Sequence, residues 1–146
     1  MGKLGKTSTR SVATATVDPV LADGWLPALL EPDGVRVLLP RGEIDRAGLE
    51  LIARAVDPRL RFGGPEVVLD LSQVVHLDYR CAASLWRAAL GLRAEGGDLR
   101  LAGGSAYLLA ILRAVGLDER LACFSSTAQA VESYRAARRR VRSESA

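Results

Sequence analysis

The chain has 146 residues, which suits one domain around a single core. Its 20 lysines and arginines against 17 acidic residues leave a formal charge of +3, too small to indicate nucleic acid as a partner. Asp, Arg, Gly or Pro interrupts every apolar run before it reaches the roughly 18 residues of a membrane-spanning helix, so no membrane span is expected.

The residues that usually carry chemistry are sparse. Cys81 and Cys123 lack metal-ligand spacing and follow no secretory segment, which favours reduced thiols in the cytoplasm, with Cys81 as a small core residue. The single histidine is His76. Neither Ser72 nor Ser84 lies in a glycine-flanked elbow that would make it a nucleophile for this histidine, and no second acid is placed to orient the imidazole. We therefore predict no catalytic residue, no metal ligand and no cofactor.

The first third of the chain changes from polar to strand-like. Residues 1–16 have no apolar period and predict a flexible tail, while residues 17–30 are apolar but broken by prolines, which suits an edge strand or a covering segment. A turn at Pro32-Asp33-Gly34 precedes alternating Val35, Val37 and Leu39. We therefore expect a first hairpin that begins near Leu26.

A helix should follow Asp45. Apolar side chains recur at i, i+3, i+4 and i+7, as expected for one stripe that faces a sheet, and they are Leu49, Ile52, Ala53 and Val56. The pattern stops near Asp57-Pro58.

The segment from Val67 onward predicts a buried strand that runs through a short loop into a helix capped by Asp78. Backbone N–H groups and the positive dipole end at such a helix start can meet an anion or a partner's side chain. The helix has one apolar face expected to be buried, which comprises Ala82, Leu85, Ala89 and Leu92, and a second expected as a contact surface, which comprises Tyr79, Ala83, Trp86 and Leu90. For Trp86, completion of the core stays an equal alternative.

The last third predicts a strand at Asp98–Ala102, a helix between Ser105 and Gly116, a short strand, and a final helix from Ala128 into an arginine cluster. Cations near a helix C-terminus are favourable to its dipole, which explains the cluster without a ligand. A patch for nucleic acid or lipid headgroups is the less favoured alternative, because aromatic residues other than Tyr134 do not interleave with the arginines.

Four features occur in a characteristic order: GEID at Gly42–Asp45, an amphipathic helix, the strand VVLDLSQVV at Val67–Val75, and the junction from Asp78 to Ala83. In this order and spacing, residues 35–138 resemble the STAS domain family, the anti-sigma factor antagonists and their relatives. The resemblance implies an α/β fold in which a mixed sheet of four or five strands is covered by about four helices. It also implies a domain at residues 17–138, followed by a basic tail at 139–146.

The chain departs from the family at one position. Where the family places a phosphorylatable Ser or Thr after the capping aspartate, this sequence has Tyr79, followed by Arg80 and Cys81. A tyrosine hydroxyl extends farther than a serine oxygen, so a serine kinase should not reach it well, and a permanent contact residue is the favoured interpretation. Ser72 or Ser84 stays open as a substitute acceptor.

The resemblance implies a noncatalytic protein-binding regulator of bacterial signalling, similar to an anti-sigma factor antagonist but without the serine switch. Its protein partner would be an anti-sigma factor or kinase-like protein, and a homodimer stays open. The alternative is a cytoplasmic STAS-like accessory subunit that contacts the ATPase of a lipid-transport ABC complex. The predicted contact residues are Asp45, Asp78, Tyr79, Arg80, Ala83 and Trp86.

Overall fold

The computed structural model describes residues 15–16, 26, 28–31, 33–59 and 63–145. Predictions for residues 1–14 and 17–25 lie outside the described residues. The described strands are β1 (Ala15–Thr16), β2 (Ala28–Leu30), β3 (Arg36–Leu38), β4 (Gly42–Ile44), β5 (Glu66–Asp70), β6 (Val74–Leu77), β7 (Asp98–Ala102) and β8 (Cys123–Phe124). The described helices are α1 (Arg46–Val56), α2 (Ala82–Arg93), α3 (Ala106–Ala114), α4 (Leu117–Arg120) and α5 (Thr127–Ser145), and a 3-10 turn spans Tyr79–Cys81.

A mixed sheet forms the centre of the described part of the chain, with strand order β1-β2-β3-β5-β7-β8. Strands β1, β2 and β3 pair antiparallel, and β3, β5, β7 and β8 pair parallel. The sheet confirms the predicted α/β class. The described part of the main sheet has six strands against the expected four or five, because of the two-residue strand β1. Five helices are described against the expected four or so, because of the four-residue helix α4. Strand β1 lies within the segment that was predicted to be a flexible tail. The sequence did not reveal this strand, because backbone pairing with β2 needs no apolar pattern.

The predicted hairpin is present as β2 and β3. Ala28 lies opposite Leu38, and the turn closes where the Glu31 N–H donates to the Val35 carbonyl at 2.8 Å. Gly34 adopts a φ of 98°, a left-handed conformation that favours glycine.

Two apolar layers enclose the sheet. Val67 and Leu69 of β5 pack with the helices α1 to α4, whereas Val68 packs with α5. Because side chains alternate across a strand and both faces are covered, β5 reads as a continuous apolar run, as expected for a parallel strand inside an α/β sheet.

A second, two-stranded sheet was not predicted. The sequence pattern suggested one strand over residues 67–75, but β5 ends at Asp70, whose carboxylate accepts a hydrogen bond from the Ser72 N–H at 2.8 Å. The chain turns there, and β6 pairs in parallel with β4 instead of extending β5. Periodicity alone could not separate the two strands, because both are rich in valine and leucine.

Helix α1 ends at Val56, close to the predicted Asp57-Pro58 boundary. Its buried stripe includes Ala55, whereas Ala53, which was predicted to face the sheet, is exposed. The buried face is centred closer to Ile52 and Ala55 than the pattern predicted, so Leu49, Ile52 and Val56 stay inside while Ala53 faces outward.

Helix α5 carries its arginines onto acidic residues of the sheet and hairpin. Arg135 donates to Asp33 at 2.6 Å, and Arg138 pairs with Glu66 and also approaches Asp33 at 3.3 Å. Part of the arginine cluster therefore attaches α5 to the sheet. Within the described ranges, none of the helices combines the length and apolarity needed to cross a membrane.

Candidate functional site

The small sheet brings two aspartates to one edge of the domain. Ile44 of β4 lies opposite Leu77 of β6, and the Asp78 N–H donates to the Ile44 carbonyl at 3.0 Å. Asp45 and Asp78 therefore follow neighbouring parallel strands at the same edge. We call the segment from Asp78 to Cys81 the junction.

Asp45 begins helix α1. Its carboxylate accepts a hydrogen bond from the Gly48 N–H at 2.9 Å, in an N-cap geometry that stabilises the first turn. The side chain thus has a structural role, whatever it contacts outside the chain.

Asp78 and Arg80 form a closed pair. The Asp78 carboxylate accepts the Arg80 N–H at 3.0 Å and two guanidinium N–H groups, from Nε at 3.0 Å and from Nη2 at 2.8 Å. These hydrogen bonds from the Arg80 side chain and backbone lower the pKa of Asp78 to about 2. The same pairing raises the pKa of the Arg80 guanidinium. The carboxylate stays ionised at neutral pH, and it holds the arginine in a fixed orientation at the surface.

The helix start differs from the prediction in one respect. Asp78 caps the 3-10 turn, and the α-helix α2 begins only at Ala82. Cys81, as predicted, is a buried core residue, and burial raises the pKa of its thiol. The 3-10 turn places Cys81 inward and Tyr79 outward.

Tyr79 is 66% exposed, one of the large side chains most open to solvent in the described part of the chain. It stands directly after the capping aspartate, where the resemblance implies a phosphorylatable Ser or Thr. Its ring presents an apolar surface together with a polar hydroxyl, a combination that is enriched at protein interfaces.

The two predicted faces of the following helix are distinct. Leu85, Ala89 and Leu92 are buried, while Ala83 and Leu90 are exposed. The outward face therefore continues the surface that Tyr79 begins.

Trp86 is partly buried, which is compatible with both interpretations that the sequence left open. Its half-buried ring packs against the core, while the guanidinium of Arg93 lies 4.9 Å and that of Arg120 lies 5.2 Å from the ring centroid. Both distances suit cation–π contacts.

Two concavities flank the junction. The α2–α4 groove has a volume of about 460 Å³ and is lined by Tyr79, Arg80, Ala82, Ala83, Trp86, Val115, Leu117 and Arg120. The α1–α2 cleft, of about 360 Å³, is lined by Arg46, Leu49, Asp78, Arg80, Cys81 and Ser84. Arg80 borders both, so the structure brings Asp78, Tyr79, Arg80, Ala83 and Trp86 to one continuous surface.

Sequence reasoning missed the far wall of the α2–α4 groove. Val115 lies at the end of the predicted helix, whereas Leu117 and Arg120 lie beyond it on α4, which was not predicted. Nothing in the local pattern places these residues against Trp86. A contact between residues about 30 positions apart depends on the tertiary fold.

His76 lies near the junction and contacts Tyr107 of α3. His76 Nδ1 lies 2.7 Å from the Tyr107 hydroxyl, and the two rings stack with centroids 5.8 Å apart, which is a packing contact at the surface. Among the residues that the structure describes, no group of three or more His, Cys, Asp and Glu side chains is arranged to hold a metal ion.

A family model described as "Mlab, STAS domain" matches residues 30–124. No curated protein matches the chain's sequence.

Solved structures share the fold at low sequence identity. A Thermotoga maritima protein described as an anti-sigma factor antagonist is 19% identical, with a TM-score of 0.65 over 77% of this chain and 96% of that one. The anti-sigma factor antagonist SpoIIAA in its unphosphorylated form is 14% identical, with a TM-score of 0.63 over 76% and 96%. The STAS domain of a SulP transporter from Vibrio cholerae is 15% identical, with a TM-score of 0.58 over 72% and 83%. At these identities the likeness establishes the fold alone.

Proposed function

The chain belongs to the STAS domain family, and from this premise we propose that it is a noncatalytic protein-binding regulator that resembles an anti-sigma factor antagonist but lacks the phosphorylatable Ser or Thr. In this proposal it acts in the bacterial cytoplasm. Its partner is an anti-sigma factor or a kinase-like protein.

The exposed junction is the observation that carries this proposal. Tyr79 is 66% exposed directly after an aspartate that is already paired with Arg80, so the surface displays an aromatic side chain beside a fixed cation. Tyrosine and arginine are the residue types most often found at the energetic centre of protein interfaces. Because both partners of the Asp78–Arg80 pair are held before binding, docking there would order few additional side chains.

The proposed contact surface comprises Asp45, Asp78, Tyr79, Arg80, Ala83 and Trp86. Tyr79 replaces the serine switch with a permanent contact, so binding would not be controlled by phosphate at this position. A phosphate on serine adds about −1.5 to −2 charges beside a partner, and a chain without that acceptor would bind constitutively.

Affinity capture from the native cell tests the proposal. Tagged wild-type chain, Tyr79→Glu and Val141→Glu are compared, with mass spectrometry of the captured proteins and of phosphate on Tyr79, Ser72 and Ser84. Val141 is the matched control because it is 62% exposed and lies on α5, across the sheet from α2.

We expect an anti-sigma factor or kinase-like protein with wild type and Val141→Glu, and its loss with Tyr79→Glu. Equal capture by all three would place the contact elsewhere. Stoichiometric phosphate on Ser72 or Ser84 would mean that the switch has moved and not disappeared.

A second candidate is a cytoplasmic accessory subunit of a lipid-transport ABC complex. It is favoured by the tyrosine that stands where the resemblance implies a phosphorylatable Ser or Thr. The same capture distinguishes the candidates, because recovery of an ABC ATPase with its permease would select the second.

A further inference from the structure

We propose that the α2–α4 groove binds an acidic amphipathic helix of the protein partner, with apolar side chains over Trp86 and a carboxylate on Arg120. This inference rests on the proposed function and names the chemistry of the partner segment.

The floor of the groove is apolar and close to the backbone of α2. Ala82 and Ala83 leave room beside the half-buried ring of Trp86, and Val115 and Leu117 form the opposite wall. An apolar channel alongside a long helix suits the packing of another helix, whose side chains at i, i+3 and i+4 would enter it.

The charged side chains that line the groove are both cationic. They are Arg80 and Arg120, and none of the described residues that line the groove is a carboxylate. The Arg80 charge is balanced by Asp78 at 2.8 Å, whereas within the described ranges Arg120 has no carboxylate within 4 Å. The unbalanced charge at Arg120 therefore selects an occupant that carries Asp or Glu.

The setting of Arg120 supports this assignment. Its guanidinium lies over the Trp86 ring, and its backbone carbonyl accepts a hydrogen bond from Arg93 Nη2 at 2.8 Å. Arg93 is itself held by Asp98 at 2.8 Å. The Arg120 segment is thus positioned by an ion-paired neighbour, while the Arg120 side chain donates no hydrogen bond to any residue that the structure describes. A carboxylate that approached the groove would meet a guanidinium already placed over an aromatic ring.

Trp86 provides a direct readout of occupancy. The chain has two tryptophans, so Trp25→Phe leaves Trp86 as the single tryptophan, whose emission can be excited selectively over that of the tyrosines. The probes are two synthetic helical peptides with the same leucine stripe at i, i+3, i+4 and i+7, bordered by glutamates in one peptide and by lysines in the other.

The glutamate peptide should change Trp86 emission saturably and bind at least roughly tenfold more tightly than the lysine peptide. Its affinity should fall with added salt and fall about tenfold in Arg120→Gln. Arg113→Gln is the matched control, because Arg113 is an exposed arginine on α3 that does not line the groove, and it should leave the affinity unchanged.

Equal binding of the two peptides, an unchanged affinity in Arg120→Gln, or no binding by either peptide would overturn the inference. Capture of the native partner separates this failure from failure of the proposed function. If wild type and Arg120→Gln capture the partner equally while Tyr79→Glu does not, the regulator function stands and the assignment of an acidic helix at Arg120 fails. If wild type captures no partner, the proposed function itself fails.

Discussion

Tyr134→Phe should destabilise the fold without altering the junction. Tyr134 is 2% exposed on α5, and its hydroxyl lies against the first residues of β5 and β7. The hydroxyl accepts the Val67 N–H at 3.2 Å and can donate to the Val67 carbonyl at 2.8 Å or the Asp98 carbonyl at 2.7 Å. It therefore links the last helix to two parallel strands of the sheet.

The cost of the substitution follows from these contacts. A hydroxyl has one proton, so phenylalanine removes one accepted and one donated hydrogen bond and leaves buried backbone groups without that partner, which costs about 1–3 kcal/mol. The aromatic ring and its contact with the Arg100 guanidinium, 4.0 Å from the centroid, are retained. For a domain of this size a loss of about 2 kcal/mol lowers the Tm by roughly 4–8 °C.

Urea unfolding followed by circular dichroism measures the change, since a lower midpoint at constant m-value reports stability alone. Tyr107→Phe is the control, because it removes a hydroxyl from a tyrosine that is 53% exposed. A loss below about 0.5 kcal/mol in Tyr134→Phe, equal to the change expected at a surface position, would refute the assignment of the buried hydroxyl as a link.

The buried Tyr134 hydroxyl also predicts how the stability of the fold depends on alkaline pH. Burial raises the pKa of Tyr134 above its usual range. Because the folded pKa is the higher one, the contribution of the neutral hydroxyl is complete below the unfolded pKa of about 10 and is lost as pH rises through the folded value. The stability difference between wild type and Tyr134→Phe should therefore narrow above pH about 10. A difference that stays constant to pH about 12 would contradict this reasoning.

Further substitutions at four positions test local features. Asp45→Ala should cost about 1 kcal/mol through loss of the helix cap, and Asp45→Asn should recover most of it in thermal melts. Gly97→Ala should destabilise the fold, because the added Cβ would lie 2.0 Å from the Pro65 carbonyl oxygen; an unchanged urea midpoint would exclude this close approach. Tyr79→Ala should change the free energy of unfolding by less than about 0.5 kcal/mol, whereas Trp86→Ala should lower it by about 1–2 kcal/mol. If calorimetry ranked the two variants in the opposite order, the assignment of the contact surface would be wrong.

Local patterns in the sequence determined much of this protein. Side-chain alternation and helical periodicity account for three features of the fold. They are the hairpin of β2 and β3, the buried run at Val67–Leu69, and the inner and outer faces of α2. The position of Tyr79 directly after Asp78 is also visible in the sequence alone. These features depend on residues within a few positions of one another, so they need no knowledge of the fold.

Only the tertiary structure decided how distant segments meet. Pairing of β6 with β4, instead of continuation of β5, depends on a turn at Asp70 and on a partner strand some 30 residues earlier. The meeting of Trp86 with Arg120 likewise requires α2 and α4 to pack on the same face of the sheet. Such contacts arise from the burial of apolar surface by the whole chain, a non-directional force that local sequence patterns do not encode.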